Sequence, residues 1–180
     1  KGTILPLTSI FPSTTAAAIT TLQTGLPPGE HALFEWYLYL PEADRVILSL
    51  PFAPLDQPTQ DKLLEEGIRP TVLLKQATIH QYLRARRIPS FAFLKKNIST
   101  SAYTKLAFRG ANIVEYGDEI DLAKNLAARL NRTHRRTYYY VYWSKFDALA
   151  HEYGPADHRC FQTLQSFTDT LEKHLFRKIR

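Results

Sequence analysis

Two residues that follow a strongly apolar segment have side chains able to bind a divalent cation. Asp147 and His151 are four residues apart and come after Tyr138–Trp143, a run of aromatic and β-branched residues. That composition is typical of a buried strand. If the chain after the strand is helical, both side chains lie on one face, with Cβ atoms about 5–6 Å apart. A carboxylate and an imidazole so placed can reach one ion, because Zn–O and Zn–N bonds are both about 2 Å long.

The same pair also fits a simpler interpretation, in which a solvated Asp lies near a His that packs or hydrogen-bonds. The spacing alone favours that simpler interpretation. The position along the chain favours the metal, because sites in open α/β sheets gather beyond the carboxyl ends of strands. Gly154-Pro155 then indicates a turn directly after the pair.

A second group of reactive side chains lies near the N-terminus. Ser13, Thr14 and Thr15 occur where a predicted strand, Thr3–Ile10, gives way to a predicted helix. The unpaired N–H groups and the dipole at a helix N-terminus favour a phosphate or an alkoxide. Helix capping is the alternative, since Ser and Thr are common N-cap residues.

The elements that would position these groups alternate between strands and helices. Further strands are predicted at Val46–Leu50, Ser90–Leu94, Ile113–Tyr116 and Tyr138–Trp143. Helices are predicted from Thr15 to the Gly25 cap and over Thr78–Arg87. A third is predicted to end near Gly110, and a fourth to run from the Asp118 cap to about Leu130. The last is predicted from an apolar stripe, which consists of Phe161, Leu164, Phe167, Leu171 and Leu175. Residues 51–70 carry several prolines and are predicted as an irregular insertion. Such alternation predicts an α/β fold with a mostly parallel sheet.

Composition limits the class of protein. The 180 residues are 44% hydrophobic and 22% charged, which indicates one globular domain, and no apolar run approaches membrane-spanning length. The single cysteine, Cys160, excludes an internal disulfide, and we expect a cytoplasmic location. The net charge of +6 suits anionic partners, but the scattered cations do not favour nucleic acid.

The two reactive stretches together resemble one known family. Phe11-Pro-Ser-Thr-Thr-Ala-Ala-Ala18, followed by Thr24-Gly-Leu-Pro-Pro-Gly-Glu-His31, is similar to the nucleophile region of the type I phosphodiesterase/nucleotide pyrophosphatase family, within the alkaline phosphatase superfamily. Asp147-Ala-Leu-Ala-His151-Glu-Tyr-Gly-Pro155 resembles its Asp-x-x-x-His-x-x-Gly-Pro metal motif. The resemblance implies an alkaline-phosphatase-like three-layer αβα sandwich.

The resemblance also implies a chemistry. Members cleave phosphodiester or pyrophosphate bonds of small nucleotide-type substrates, with a threonine nucleophile, a phospho-enzyme intermediate and two divalent ions, usually zinc, with manganese as the alternative. The family spacing of nine residues before the Thr-Gly pair selects Thr15, which would also contact metal, with Thr14 as the fallback. Asp147 and His151 would ligate one ion, and the histidine at His31 is expected to be structural.

The sequence departs from the family pattern in several places. An aspartate from the first strand and an Asp-His-Gly motif, both metal ligands in the superfamily, are absent from these 180 residues. We therefore expect residues 1–180 to be a partial catalytic domain whose fold and metal sites are incomplete. The position where relatives often have a phosphate-binding Asn falls near Trp36. Thr14 and Trp36 are the predicted substrate contacts. Trp36, Tyr37 and Tyr39 form either an aromatic wall for a base or part of the core.

Two functions remain open from the sequence. One is the metal-dependent phosphoryl hydrolase, for which Thr15, Asp147 and His151 should converge at the carboxyl edge of the sheet. The other is a non-catalytic relative that keeps the fold and an anion pocket, and the missing ligands favour it. The sequence gives no prediction of oligomeric state.

Overall fold

The structure is a computed structural model and describes residue 3 and residues 5–179. Its chain contacts divide it into two compact units. The first unit holds Lys1–Arg86 and Thr100–Gly110, and the second holds Arg87–Ser99 and Ala111–Arg180, each as far as its residues are described. The described residues contain no helix that is both long enough and apolar enough to cross a membrane.

The first unit begins with the predicted helix and a short second one. Helix α1 spans Thr15–Thr24, and Gly25 ends it in the left-handed conformation at φ 73°, which a residue without Cβ adopts readily. Helix α2 spans Pro28–His31. Ala16 and Ala17 at the start of α1 are buried, so this part of the helix packs closely on its neighbours. The predicted helix and its glycine cap are confirmed.

An antiparallel sheet follows, and most of it was not predicted. Strand β1 spans Tyr37–Leu40, β2 spans Arg45–Leu48 and β3 spans Ala53–Pro54, in the order β1-β2-β3. Only β2 matches a predicted strand. The signal for β1 is two apolar runs separated by four residues that include Pro41 and Asp44, since hairpin loops of this length are common.

Three further helices complete the first unit: α3 at Lys62–Glu65, α4 at Ile79–Ala85 and α5 at Ala102–Ala107. Helix α4, which was predicted, begins with a capping box between Thr78 and Gln81. Buried polar side chains connect the helices, with Gln23 Oε1 2.9 Å from His80 Nε2 and Thr20 Oγ1 2.9 Å from Tyr103 OH.

The predicted strand at Thr3–Ile10 is wrong for the residues that the structure describes there. Thr3 and residues 5–10 have no regular structure, and Ile4 lies outside the described residues. Pro6 has no N–H to donate to a neighbouring strand. The side chains of Leu5 and Leu7 are largely exposed, so the apolar pattern of this segment does not correspond to a buried strand.

The second unit contains the parallel sheet. Strand β4 spans Ser90–Lys95, β5 spans Asn112–Tyr116 and β6 spans Tyr138–Val141. The order is β5-β4-β6, and β4 pairs in parallel with both neighbours. The α/β class and the parallel sheet predicted from the alternating pattern are confirmed.

Three helices belong to this unit: α6 at Glu119–Arg132, α7 at Lys145–Tyr153 and α8 at His158–Leu171. Helix α8 continues as a short π-helix over Glu172–Phe176. Asp118 caps α6 as predicted. The apolar stripe of the last helix is only partly correct, because Phe161 and Leu164 are exposed. The core contains Phe93, Tyr116, Leu122, Ala123, Leu126, Ala127 and Leu175.

Candidate active site

Thr14 and Thr15 differ in their surroundings although they are neighbours. The Thr14 hydroxyl donates to the carbonyl oxygen of Phe34 at 2.6 Å and accepts from the Ala17 N–H at 3.2 Å. Thr14 is therefore the N-cap of α1, and its oxygen is engaged on both sides. This is the capping role that the sequence left open, and it belongs to Thr14.

Thr15 is the first residue of α1 and is half-buried. Among the residues that the structure describes, its hydroxyl has no hydrogen-bond partner, and neither its own N–H nor that of Ala16 has an acceptor. Unpaired N–H groups of the first helical turn, together with the helix dipole, attract negative charge. A hydroxyl at this point lies beside a place suited to a phosphate oxygen.

His31 is buried and hydrogen-bonds to α1 and to the segment that follows α2. It is 2% exposed, its Nδ1 accepts from the Leu33 N–H at 3.1 Å, and its Nε2 lies 3.0 Å from the Thr21 hydroxyl. Because Nδ1 is an acceptor, the proton is on Nε2, which donates to Thr21. Burial lowers the pKa of His31, so the imidazole is neutral. A buried ring with both nitrogens engaged within the protein has the structural role expected from the sequence.

The aromatic residues of β1 and the residue before it are at the surface. Trp36 is 37% exposed, Tyr37 57% and Tyr39 55%, so the interpretation of this group as core is wrong. The Tyr39 hydroxyl donates to Asp44 Oδ1 at 2.5 Å, and this hydrogen bond raises the pKa of Tyr39. Solvent can therefore reach the ring of Trp36, the predicted substrate contact.

Asp147 and His151 lie on α7, directly beyond the carboxyl end of β6. His151 Nε2 and Asp147 Oδ1 are 3.7 Å apart, and both side chains are more than half exposed. Two ligands bonded at about 2 Å in a tetrahedral site are about 3.3 Å apart, so a small side-chain rotation brings both onto one ion. The pair thus fits two of the ligands of a divalent metal.

A complete ligand set is absent from the part of the chain that the structure describes. No group of three or more His, Cys, Asp or Glu side chains there is arranged to hold a metal ion. His158 Nδ1 lies 3.4 Å from Asp157 Oδ1, but this second pair follows α7 and is not part of the Asp-x-x-x-His-x-x-Gly-Pro motif. Within the described residues, the predicted ligands Asp147 and His151 on α7 are therefore not joined by a third His, Cys, Asp or Glu side chain.

The start of α7 is anchored to α6. The Trp143 ring stacks on Phe167 with centroids 3.9 Å apart, and its Nε1 donates to Glu119 Oε1 at 3.2 Å. Lys145 Nζ lies 3.5 Å from the same carboxylate oxygen. Partial burial acts to raise the pKa of Glu119, but the Trp143 hydrogen bond and the Lys145 charge hold it below its usual value. These contacts fix the helix that carries Asp147.

The turn after α7 is also held by a specific contact. Arg159 donates from Nε and Nη2 to the two carboxylate oxygens of Asp157, at 2.8 and 2.9 Å, and its guanidinium lies 3.3 Å from the Tyr153 ring centroid. The Arg159 hydrogen bonds hold the pKa of Asp157 well below its usual range. Sequence analysis missed this arrangement; its only signal is the Asp-x-Arg spacing after Gly154.

Thr15 belongs to the first unit, whereas Asp147 and His151 belong to the second. Thr14 and Trp36 lie in the first unit with Thr15, and the Phe34 carbonyl that binds Thr14 is two residues before Trp36. Within the second unit, Asp147 and His151 are brought together. The convergence of Thr15 with this pair remains a prediction.

The chain matches the model of a known protein family. The family model described as Type I phosphodiesterase / nucleotide pyrophosphatase matches residues 1–177, nearly the whole of the 180-residue chain. That family consists of phosphoester hydrolases that are generally metal-dependent. No curated protein matches the chain.

Proposed function

We propose, because the chain belongs to the type I phosphodiesterase/nucleotide pyrophosphatase family, that it contributes Thr15 as the nucleophile that cleaves phosphodiester or pyrophosphate bonds. The observation that carries this proposal is the hydroxyl of Thr15. It is the one member of the Thr14–Thr15 pair that is free to react, at a helix N-terminus suited to phosphate.

The choice of Thr15 over Thr14 follows from hydrogen bonding. The Thr14 hydroxyl caps the helix by accepting from Ala17 and donates a hydrogen bond to the Phe34 carbonyl. Attack by the Thr14 oxygen would therefore break both hydrogen bonds. Thr15 can turn its hydroxyl toward a substrate without loss of a hydrogen bond among the described residues. We assign Thr14 an indirect role in substrate binding: it does not contact the substrate but holds the N-terminus of α1, where the phosphate would bind.

The reaction proceeds in two displacements. The Thr15 oxygen loses its proton and attacks phosphorus, and the bond from phosphorus to the leaving-group oxygen breaks. That oxygen keeps the electron pair and takes up the proton that Thr15 released. Water then attacks phosphorus from the side opposite the Thr15 oxygen, and the bond from phosphorus to that oxygen breaks. A proton from the water restores the Thr15 hydroxyl. The free N–H groups of Thr15 and Ala16 are placed to bind a non-bridging phosphate oxygen, where negative charge grows in the transition state.

Asp147 and His151 would hold one of the two metal ions, zinc by preference or manganese. When bound, such ions lower the pKa of a hydroxyl or water and stabilise charge on phosphate oxygens. Within this chain, Trp143 and Glu119 keep α7 in place for the pair. Among the described residues, no group of three or more His, Cys, Asp or Glu side chains completes such a site.

The substrate class that we propose is a small nucleotide-type phosphoester. Trp36 is accessible and is separated by one residue from Phe34, whose carbonyl receives the Thr14 hydrogen bond. An exposed indole can stack on a base, a contact worth about 1–3 kcal/mol. We therefore expect substrates with a base to be preferred over simple alkyl phosphodiesters.

The test is hydrolysis of an aryl phosphodiester together with measurement of bound zinc and manganese. Wild type is compared with Thr15→Ala, and Ser13→Ala is the matched control because Ser13 is an exposed hydroxyl in the same segment. We expect Thr15→Ala to lose activity by at least about 10³-fold with metal content unchanged. Retained activity in Thr15→Ala would refute the nucleophile, and loss in Ser13→Ala would show that the effect is not specific.

A second candidate is a non-catalytic relative that binds anions, and one observation favours it: the described residues do not complete a metal site. This candidate predicts that the protein binds phosphate with no hydrolysis and no bound metal. The same experiment separates the two candidates, because only the hydrolase retains metal and turns over the diester.

A further inference from the structure

The second unit contains a cleft that the proposed chemistry does not use. Its volume is about 650 Å³. Its lining combines aromatic, hydroxyl and arginine side chains, namely Phe91, Arg129, Arg132, Thr133, Arg135 and Tyr139. The volume is within the range of about 300–1,000 Å³ that is usual for small-molecule sites.

The cleft lies at the amino edge of the parallel sheet. Pro89 and Thr137, which also line it, immediately precede β4 and β6. Asp147 and His151 follow the opposite, carboxyl end of β6. The cleft and the metal-binding pair are therefore at opposite ends of the same strand, and one small ligand cannot occupy both.

The charge of the cleft is strongly positive. Three arginines and His134 line it, and no acidic residue is among its lining residues in the described chain. Within that same part of the chain, Arg129, Arg132 and Arg135 form no ion pair with a carboxylate. Arginines that no carboxylate neutralises are available to an external anion.

The contacts of the cleft hold one arginine in a defined position. The Arg129 guanidinium lies 4.5 Å from the Phe91 ring centroid, and Phe91 stacks on Tyr139 with centroids 5.7 Å apart. The Tyr139 hydroxyl hydrogen-bonds to that of Thr133. An ordered guanidinium loses less conformational freedom when it binds a ligand.

The position of the arginines at the end of α6 has a structural explanation as well, because cations stabilise a helix C-terminus. That explanation covers Arg129 and Arg132, which are in the last turn. It does not cover Arg135, which lies beyond the helix but lines the same cleft. The dipole is also equivalent to only about half a negative charge, which three arginines exceed.

We propose that this cleft binds a multiply charged phosphate group, as found in a nucleoside polyphosphate or in inorganic pyrophosphate. Guanidinium groups bind phosphate oxygens through paired N–H donors, and two or three of them suit a group with several charges. The His134 ring lines the same cleft and adds a further polar group. Nucleic acid is disfavoured, because Arg129 and Tyr139 both lie against the Phe91 ring on which a base would stack.

Calorimetric titration with methylenediphosphonate, a diphosphonate that the proposed hydrolase cannot cleave, tests the site directly. The full chain is compared with the double variant Arg132→Ala/Arg135→Ala. Its matched control is Arg136→Ala, because Arg136 is an exposed neighbour that does not line the cleft. We expect binding to weaken at least about tenfold in the double variant and to change less than about twofold in the control.

Asp147→Asn separates this site from the active site. Binding that persists in Asp147→Asn and disappears in the double variant supports the cleft. Binding that disappears in Asp147→Asn and persists in the double variant overturns it, as does the absence of binding to wild type. An equal loss in Arg136→Ala and the double variant also overturns it, since general surface charge would then explain the binding.

A second titration, with the α,β-methylene analogue of a nucleoside diphosphate, identifies the source of the phosphate group. Tighter binding of this analogue than of methylenediphosphonate supports a nucleoside polyphosphate as the ligand. Equal binding supports the inorganic group. The inference does not depend on the proposed hydrolase, because Thr15 plays no part in it.

Discussion

The hydroxyl of Thr14 donates a hydrogen bond to the carbonyl oxygen of Phe34, 2.6 Å away. This bond joins the start of α1 to the segment that leads into the exposed Trp36 and the β1–β2 hairpin. The same oxygen caps the helix by accepting from Ala17. Thr14 therefore links the end of the helix that carries Thr15 to the predicted substrate-contact segment.

Substitution of Thr14 is expected to act on stability. Thr14→Ala removes the N-cap, which is worth about 0.5–2 kcal/mol, and leaves the Phe34 carbonyl without its donor, so we expect a loss of about 1–3 kcal/mol in the free energy of unfolding. Urea denaturation measures this loss. Thr15→Ala, which removes a hydroxyl that has no partner among the described residues, should cost less than about 1 kcal/mol. An equal cost for both would contradict the separation of roles.

Gly110 is a position at which only glycine fits. Its φ is +94°, and a Cβ added there would lie 2.9 Å from the Gln81 backbone nitrogen and from the His80 backbone carbon. Backbone atoms of α4 cannot move aside as a flexible side chain could. We expect Gly110→Ala to lower the free energy of unfolding by about 2–4 kcal/mol.

Gly29→Ala is the control for that measurement, since an added Cβ there would have no neighbour within 4 Å. We expect Gly29→Ala to change the free energy of unfolding by less than about 1 kcal/mol. A tolerated Gly110→Ala would mean that the chain at Gly110 lies further from α4 than described.

The buried imidazole of His80 makes stability depend on pH. Burial lowers its pKa to about 4, whereas the unfolded chain binds the proton near pH 6.5. Above pH 6.5 the His80 imidazole is unprotonated in both the folded and the unfolded state, so its titration does not lower the free energy of unfolding. As the pH falls from 6.5 towards 4, only the unfolded state gains a proton, and stability falls by up to about 3 kcal/mol. The lowered pKa of His31 acts in the same direction.

The corresponding experiment is urea denaturation between pH 7 and pH 4.5. We expect His80→Gln to show a smaller decrease in stability with falling pH than wild type. His158→Gln is the control, because that side chain is 75% exposed. A His80→Gln variant with the same pH dependence as wild type would contradict the lowered pKa of His80, because the folded and unfolded states would then take up the proton over the same pH range.

The local elements were predictable because their signals are local. Thr15 to Gly25 contains a helix start and a glycine stop within a few residues, and Asp118 precedes an apolar stripe of helical spacing. Strand β4 was recognisable as a short apolar run before a polar segment. In each case, the residues that determine the element are inside it or next to it.

The parts that were missed depend on residues far apart in sequence. The cleft at the amino edge of the sheet combines Pro89 and Phe91 with arginines about forty residues later, and no local pattern indicates that. The Thr3–Ile10 strand was wrong because an apolar run needs a neighbouring strand, and sequence does not reveal whether one exists. Of the site, the Asp147–His151 pair was predictable from helical spacing, whereas the engagement of Thr14 by Phe34 was not.

Tyr116, the last residue of β5, donates from its hydroxyl to the carbonyl oxygen of Tyr142, the residue directly after β6, at 2.6 Å. The side chain is buried, which is the main reason that its pKa is raised to about 12. Tyr116→Phe leaves a carbonyl without its donor at the end of β6, and we expect a loss of about 1–2 kcal/mol in the free energy of unfolding.

Tyr37→Phe is the matched control for Tyr116→Phe. Its ring is 57% exposed, so loss of its hydroxyl should change the free energy of unfolding by less than about 0.5 kcal/mol. Equal losses in the two variants would contradict a structural role for the Tyr116 hydroxyl.

Each compact unit contains one of the two tryptophans, Trp36 in the first and Trp143 in the second. Trp36 is partly in water, whereas Trp143 stacks on Phe167. Indole emission shifts to longer wavelength when the ring becomes solvated, so the two variants Trp36→Phe and Trp143→Phe each keep one fluorescent reporter. Denaturation curves of these variants would show whether the units unfold in one transition or in two, and Trp143, four residues before Asp147, would also report a metal that binds there.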